Sequence, residues 1–520
     1  MMIKNLGSNE LGRRRFLQMG AGLAGLGAAG TFAMQLAAAG QVAATDAPDY
    51  KALVCIFMYG GNDANNMVMA TDQDSYNRYW SARFTGDTPI ALMPVGAPKV
   101  APGTASSITG RIVPDAFSPE AWGGMLPIVP KTPQAVPAGT SAGTRTFALH
   151  PMMAKSQALF NSKRLAVLAN VGTLVQPVTR KDYENNVHLP ANLFSHNDQQ
   201  NMWQAGAIEG AEIGWGGKMA DMILSGNGAN SIFTALTTSG NTVFLSGENT
   251  LQYPMNVYGD PAQRIDATTG WLYGGSGPSA QIKAVVRNVA NGNFFADDHA
   301  GVVTRSMAAT DLINNAFNQI GPKHVLAVPT FVNPFDGTQG DSYFLRQLGA
   351  VAKMVAAAPA LGLKRQVFLV SMGGFDTHDG QNEAQPSNMS ELSQGLAYFD
   401  AALSNINGID MRSAVTSFTA SDFSRTFVTN GDGTDHAWSG HHIIHGGAVK
   451  GGDMYGQFPT VGADAHNFRN PDIADNAMIP TTSVDQYAAT LGKWFGVSDG
   501  DLHTIFPNLH NFATPYLGFL

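Results

Sequence analysis

Three apolar runs in this chain of 520 residues end in the same way, with small residues followed by an aspartate. A short, continuous apolar run bounded by glycine or serine is typical of a strand buried on both faces, as in a parallel sheet. The predicted strands and the aspartates that follow them are residues 51–59 with Asp63, residues 366–372 with Asp376, and residues 414–420 with Asp422.

Helical spacing of apolar residues appears between the later runs, over residues 342–357 and 392–406. A further strand is predicted over residues 165–171, and a helix is predicted to start near residue 195. Alternating strands and helices are typical of an α/β fold. We therefore expect a mostly parallel central sheet with helices on both faces.

Two stretches interrupt the regular pattern, at about residues 84–146 and 206–340. The first is rich in Pro, Gly, Thr and Ser and shows little periodicity, which predicts an irregular surface insertion. The second contains Gly-rich turns, short β-like runs and a predicted helix near residues 308–320, which indicates a large insertion or cap. Both would belong to one α/β domain spanning residues 45–520.

The N-terminal residues 1–44 have the pattern of an export signal. Arg13 and Arg14 precede Phe16 and Leu17, and a mildly apolar stretch rich in Gly and Ala follows. This predicts a twin-arginine signal peptide and a periplasmic or secreted mature protein. The alternative is a membrane anchor, although the Gly and Ala content makes a weak spanning helix.

Charge and cysteine content exclude several classes of protein. The chain has 31 Lys and Arg against 39 Asp and Glu, so its net charge of −8 argues against a nucleic-acid partner. Its 44% hydrophobic residues exclude a disordered chain. Cys55 is the single cysteine, so a disulfide framework or a cysteine-built zinc site is excluded.

Aspartates and histidines together predict a metal centre. Carboxylates that gather at one edge of a sheet repel one another unless a cation neutralises them. Mixed Asp and His ligands suit Zn²⁺, so we expect a divalent ion, most consistent with zinc. The candidate ligands are Asp63, Asp376, His378, Asp422, His436, His441 and His442. The alternatives are turn aspartates and hydrogen-bonded loop histidines.

Side-chain alternation limits one pair of these candidates. If a strand begins at His442, then His441 and His442 point to opposite faces, and only one of them is expected to be a ligand.

Two further residues are candidates for catalysis. Ser195 is expected at a helix N-terminus, where the helix dipole favours an attacking hydroxyl and its anionic target. The equal alternative is a helix cap, because Asp198 follows three residues later. Arg425 is suited to clamp an anion, and the alternative is a surface arginine.

Several motifs resemble those of a known family. They include FMYGGNDANNMV at 57–68, SHNDQQNMW at 195–203, GGFDTH at 373–378 and GTDHAWSGHHIIHGG at 433–447. In order and wording they resemble the domain of unknown function 1501 family. That family is similar to the alkaline phosphatase and sulfatase superfamily, whose central sheet carries a site for one or two metal ions.

The resemblance implies roles for particular residues. Asp63 would be the ligand after the first strand, and Ser195 stands where the superfamily keeps its nucleophile. Metal roles are implied for Asp376, His378, Asp422 and one or more of Asp435, His436, His441 and His442. Where the superfamily often has an Asp-His pair, however, this chain has Asp422 followed by Phe423.

Together these patterns predict an exported metal-dependent hydrolase of phosphate or sulfate esters, acting on an anionic substrate. The alternative is a metal-stabilised binding or assembly protein on a degenerate hydrolase fold, because a fold does not determine a function. A weaker alternative is a phosphotransferase or isomerase at the same metal centre.

Overall fold

The computed structural model describes residues 49–138, 140, 143–258, 294–320, 330–466 and 468–520. The predicted signal peptide, residues 1–44, lies outside the described residues. Among the helices in the described ranges, none is both long and apolar enough to cross a membrane.

The strands are numbered along the chain. They are β1 Lys51–Met58, β2 Val68–Ala70, β3 Leu126–Ile128, β4 Phe147–Leu149, β5 Leu165–Gly172, β6 Ala235–Thr237, β7 Gln252–Pro254, β8 Phe331–Val332, β9 Gln339–Gly340, β10 Arg365–Met372, β11 Val415–Ser421, β12 Gly440–Gly446, β13 Met454–Tyr455, β14 Ile473–Ala474, β15 Ala477–Met478 and β16 Thr482–Ser483.

The α-helices are numbered in the same way. They are α1 Ala64–Met67, α2 Gln73–Arg83, α3 Pro119–Trp122, α4 Ala154–Asn161, α5 Arg180–Glu184, α6 His196–Ala205, α7 Trp215–Ile223, α8 Phe294–Ile320, α9 Tyr343–Ala357, α10 Gln381–Leu403, α11 Val484–Phe495 and α12 Asp499–Ile505.

Within the described residues the central sheet has nine strands, in the order β13-β5-β12-β11-β1-β10-β6-β7, and β16 also pairs with β5. Strand β1 is parallel to both of its neighbours, β10 and β11, whereas β12 is antiparallel to β11 and β5. The fold is therefore α/β with a mostly parallel mixed sheet, as predicted. Two of its strands, β6 and β7, lie within residues 206–340, the range predicted to be an insertion.

Both faces of the sheet are covered. Ala52, Val54 and Ile56 of β1 belong to one buried cluster that includes residues of α9 and α10. Leu53, Cys55 and Phe57 belong to a second cluster, on the opposite face, with residues of α7 and α11. After Lys51, strand β1 is apolar at every position because each face packs against helices.

Buried histidines are part of this core. His441 and His442 lie on opposite faces of β12, as alternation predicts, and each is at most 3% exposed. The His441 ring stacks on Phe458 with 4.3 Å between centroids, and the His442 ring lies 4.7 Å from Trp203. Burial lowers the pKa of His441, His442 and His150 to about 3.

These histidines should make the protein less stable in mild acid. Above pH 6.5 they are neutral in both states. As the pH falls from 6.5 towards 3 the unfolded chain binds protons that the folded chain cannot bind. Each histidine then lowers the free energy of unfolding by up to about 1.4 kcal/mol per pH unit.

Urea unfolding at pH 7.5 and pH 5.0 measures this effect. His442→Phe removes one of the three contributions, so the variant should lose less stability between the two pH values than the parent chain. Equal losses in both proteins would contradict the assignment of His442 as a neutral core residue.

Candidate functional site

The site lies beyond the carboxyl ends of the three central parallel strands. Met58 of β1 pairs with Met372 of β10 and with Ser421 of β11, so the three strands end at the same level. The loop after β10 carries Asp376, and the loop after β11 carries Asp422. In open α/β sheets ligands bind at this edge.

Two glycines allow these loops to meet. Gly60 and Gly61 follow β1 with φ angles of 113° and 84°, which non-glycine residues rarely adopt. A Cβ on Gly60 would collide with the backbone nitrogen of Asp376, and one on Gly61 would collide with the ring of Phe423. The absence of side chains at these two positions therefore permits the close approach.

Three imidazoles surround the carboxylate of Asp376. The Nε2 atom of His196 lies 3.5 Å from Asp376 Oδ2, and those of His378 and His436 lie 3.2 and 3.4 Å from Oδ1. The two Nε2 atoms of His378 and His436 are 2.9 Å apart. Arg425 donates from Nη2 to Asp376 Oδ1 at 2.5 Å and holds the carboxylate in place.

Each of the three imidazoles is held by an oxygen at its other nitrogen. The pairs are His196 Nδ1 with Asp422 Oδ2 at 2.6 Å, His436 Nδ1 with Phe194 O at 2.8 Å, and His378 Nδ1 with Asp435 Oδ1 at 3.2 Å. A carbonyl or carboxylate oxygen only accepts, so Nδ1 must donate. A neutral ring then keeps a free lone pair on Nε2, which is how protein oxygens orient metal-binding histidines.

The carbonyl that holds His436 comes from a strained residue. Phe194 has φ 71°, in the left-handed region that non-glycine residues seldom occupy. Such conformations cluster at functional sites, where the surrounding structure maintains them. Phe194 lies just before α6, so one short segment supplies both this carbonyl and His196.

Asp422 orients His196 and also joins three elements. Its Oδ2 accepts from Gly60 N at 3.2 Å and from Gln200 Nε2 at 2.9 Å, in addition to His196 Nδ1. Its Oδ1 is buried and has no hydrogen-bond partner. The main contribution of the Asp422 carboxylate to the site is therefore to orient the His196 ring.

The charges at the site sum to −2 with neutral imidazoles, because Asp376, Asp422 and Asp435 face a single guanidinium, Arg425. Burial alone would raise the pKa of Asp376, but the charge and hydrogen bond of Arg425 outweigh it and lower the pKa. The carboxylate is therefore ionised at neutral pH, and a divalent cation would balance the remaining charge.

The two better-buried imidazoles differ in their pKa shifts. The hydrogen bond from Asp422 raises the pKa of His196, whereas burial lowers the pKa of His436. The Nε2 atom of His196 is also buried and has no hydrogen-bond partner. Among the described residues, His196, Asp376 and His436 form the one group of three or more potential ligands whose donor atoms all lie within 4.8 Å of one another.

Several residues predicted for the site lie elsewhere. Asp63 is fully buried and forms a salt bridge with Arg83 at 2.5 Å, so the structure does not bring it to the centre. His441 and His442 are in the core of the sheet, because the alternation of β12 turns both towards packed side chains.

Ser195 is the N-cap of α6, and its hydroxyl accepts a hydrogen bond from Asp198 N. This is the helix-cap alternative given in the sequence analysis. Arg425 has a fully buried side chain that contacts Asp376, so it is not a surface arginine.

Asp376, His378 and His436 are the predicted residues that the structure brings together directly. Asp422 and Asp435 support them through histidine Nδ1 atoms. His196 was not among the ligands predicted from the sequence. It could have been found from its position, because it begins a helix that follows a buried strand and lies next to Ser195, the predicted nucleophile.

The fold and the cluster define an α/β protein with a candidate metal centre at the carboxyl edge of its sheet. Residues 335–506 match the family described as protein of unknown function DUF1501. This match, over about a third of the chain, supports the family assignment drawn from its motifs. No curated protein sequence matches the chain.

The matched range contains Asp376, Asp422, Arg425 and His436, whereas His196 comes from an earlier part of the chain. The family description carries no activity, so the relation to phosphatases and sulfatases stays a prediction.

The buried salt bridge generates a stability prediction. Arg83→Ala leaves the Asp63 carboxylate buried without a counter-charge, which should lower the free energy of unfolding by about 3–5 kcal/mol. Arg469→Ala is the matched control, because Arg469 pairs with Glu184 while 68% exposed, and such pairs contribute about 0–1 kcal/mol. Urea denaturation measures both, and similar losses would contradict the importance of the buried pair.

Proposed function

We propose that this protein is a metal-dependent hydrolase of phosphate or sulfate esters, exported with residues 1–44 as a twin-arginine signal. One observation carries the proposal. Three histidine Nε2 atoms converge on the carboxylate of Asp376 while each Nδ1 is held by an oxygen. That arrangement is costly to assemble without a cation, because it crowds lone pairs together.

The donor set and its spacing fit a zinc-like ion. Ligand atoms about 2.0–2.1 Å from a tetrahedral ion lie about 3.3 Å from one another. Here the Nε2 atoms of His196 and His436 lie 3.5 and 3.4 Å from the carboxylate oxygens of Asp376, and His196 Nε2 is buried without another partner. Imidazole and carboxylate ligands suit Zn²⁺ better than Mg²⁺ or Ca²⁺.

His196, Asp376 and His436 would hold the ion. Three protein ligands leave a coordination position for substrate, which is typical of catalytic rather than structural zinc sites. A bound divalent cation would polarise an ester oxygen and offset the negative charge of a phosphate or sulfate group. Arg425 would keep Asp376 ionised and in position throughout.

His378 is placed to transfer a proton. Its side chain is 44% exposed, the largest exposure among the three imidazoles, and Asp435 orients it through Nδ1. His378 Nε2 would accept the proton of the attacking water and return it to the departing alcohol oxygen. Positioned histidines contribute about 10²–10⁴-fold to such reactions.

Two nucleophiles remain candidates, a water molecule and the Ser195 hydroxyl implied by the resemblance. The hydrogen bonds favour water, because the Ser195 hydroxyl caps α6 and also lowers the pKa of Asp198 by bonding to its carboxylate. Ser195 would then position His196 by fixing the start of the helix.

The metal and the proton transfer can be tested separately. Purified protein should contain a transition metal and hydrolyse an aryl phosphate or an aryl sulfate. His436→Ala should weaken metal binding by more than the ~10–100-fold cost of losing an outer-shell partner. His378→Gln should retain the metal while kcat falls about 10²–10⁴-fold.

His503→Ala is the matched control, because His503 is exposed on α12 and should change neither property. A parent chain that binds no transition metal and hydrolyses neither ester would overturn the proposal. Metal binding without hydrolysis would favour the binding or assembly protein instead.

Ser195→Ala distinguishes the two nucleophiles. If Ser195 is a cap, the variant should keep its metal and most of its activity, and lose about 1 kcal/mol of stability. Ser195→Thr should restore the stability, because threonine also caps helices. If the turnover rate instead drops by about 10³-fold or more while the metal content is unchanged, the attack belongs to Ser195.

A further inference from the structure

We infer that the centre holds a single divalent cation, because Arg83 binds the Asp63 carboxylate and leaves it unavailable to a second ion. The inference rests on the proposed metal centre and concerns how many ions that centre takes.

All of the hydrogen-bonding capacity of Asp63 is in use. Its Oδ2 accepts from Arg83 Nη1 at 2.5 Å and from Gln381 Nε2 at 2.6 Å, and its Oδ1 accepts from Arg83 Nη2 at 3.0 Å and from Asn65 N at 3.1 Å. A carboxylate offers about four lone-pair sites. Four donors therefore leave none for a cation.

Arg83 is equally well satisfied. Its remaining N–H groups reach Asn66 Oδ1, Thr426 O and Phe427 O, each at 2.8 Å. Both members of the Asp63–Arg83 pair are fully buried. The guanidinium of Arg83 thus already neutralises Asp63. A metal ion that displaced it would leave its positive charge buried and unpaired, which costs several kcal/mol of free energy.

An apolar ring lies between Gly61 and the histidines. Phe423 is 3% exposed, and its ring centroid lies 4.7 Å from that of His196 and 4.5 Å from that of His436. It also fills the space above Gly61, between the first loop and the histidines. This residue directly follows Asp422, and it has no donor atom to offer.

Because Asp63 is fully hydrogen-bonded, the neighbouring Asp422 could offer a second ion only one oxygen. Asp422 Oδ2 already accepts three hydrogen bonds, so Oδ1 is its one available atom. A catalytic metal site uses about three protein ligands. One divalent ion also balances the net charge of −2 from Asp376, Asp422, Asp435 and Arg425, whereas a second would leave an excess of two positive charges.

Metal stoichiometry tests the inference without an activity assay. The full chain is stripped with chelator, reloaded with excess Zn²⁺ or Mn²⁺, passed through a desalting column and measured by plasma mass spectrometry. We expect one ion per chain, and we expect bound Mn²⁺ to give the electron paramagnetic resonance spectrum of an isolated ion. Two ions per chain, or a spin-coupled Mn²⁺ pair, would overturn the inference.

Variants of the Asp63–Arg83 salt bridge test whether Arg83 is the reason that the centre holds one ion. Asp63→Asn should still bind one ion, because Asp63 is not a ligand. Arg83→Ala should free the Asp63 carboxylate and raise the Mn²⁺ stoichiometry at millimolar metal from one towards two, whereas the control Arg469→Ala should stay at one. A folded Arg83→Ala protein that remains at one would remove Arg83 as the cause.

If Arg83→Ala does not fold, the parent chain and Asp63→Asn still decide the ion count. The outcomes also separate the inference from the proposed function. No ion in the parent chain would overturn both, whereas two ions would overturn the single-ion inference and leave the metal-dependent hydrolase standing.

Discussion

The candidate site depends on the register of β1 with its two parallel neighbours. Because Met58 is level with both Met372 and Ser421, the three loops that follow leave the sheet side by side. A register shift of one residue would turn the side chains of β1 to the opposite faces and separate the loops. The fully buried strand, packed between two hydrophobic clusters, prevents such a shift.

Two buried arginines form salt bridges with carboxylates at this edge of the sheet. Arg83 neutralises Asp63 beneath the first loop, and Arg425 binds Asp376 at the centre. In the first pair all hydrogen-bonding groups are used, since Arg83 also donates to backbone carbonyls and Asp63 accepts four hydrogen bonds. In the second pair Asp376 remains accessible to a cation, because it also faces three imidazoles. The same chemistry therefore gives a structural pair in one place and a candidate metal centre in the other.

Much of the framework was predictable from local patterns. The central strands, the helices at residues 343–357 and 196–205, and the grouping of Asp376, His378 and His436 follow from apolar runs and from residues that end parallel strands. The placement of Asp63 was not predictable in this way. Its partner Arg83 lies 20 residues away on α2, and no local pattern shows that this helix turns an arginine inward.

The role of His196 depended on contacts still more distant in sequence. It reaches Asp422 across 226 residues and also approaches Asp376, and the strained carbonyl of Phe194 holds His436 from the same segment. Likewise, the two histidines of β12 have the composition of ligands, but the packing of Phe458 and Trp203 against them makes them core residues.

The sequence by itself determined the central strands, the α/β class and the residue types available to a metal, because these follow from local periodicity and composition. Only the tertiary structure decided which carboxylates stay available to a cation. That choice depends on whether a guanidinium or an imidazole is brought against each one, and such contacts arise from packing between distant segments. Asp63 and Asp376 lie in the loops that follow two neighbouring parallel strands. Only the side chains packed against them distinguish a buried salt bridge from a candidate metal ligand.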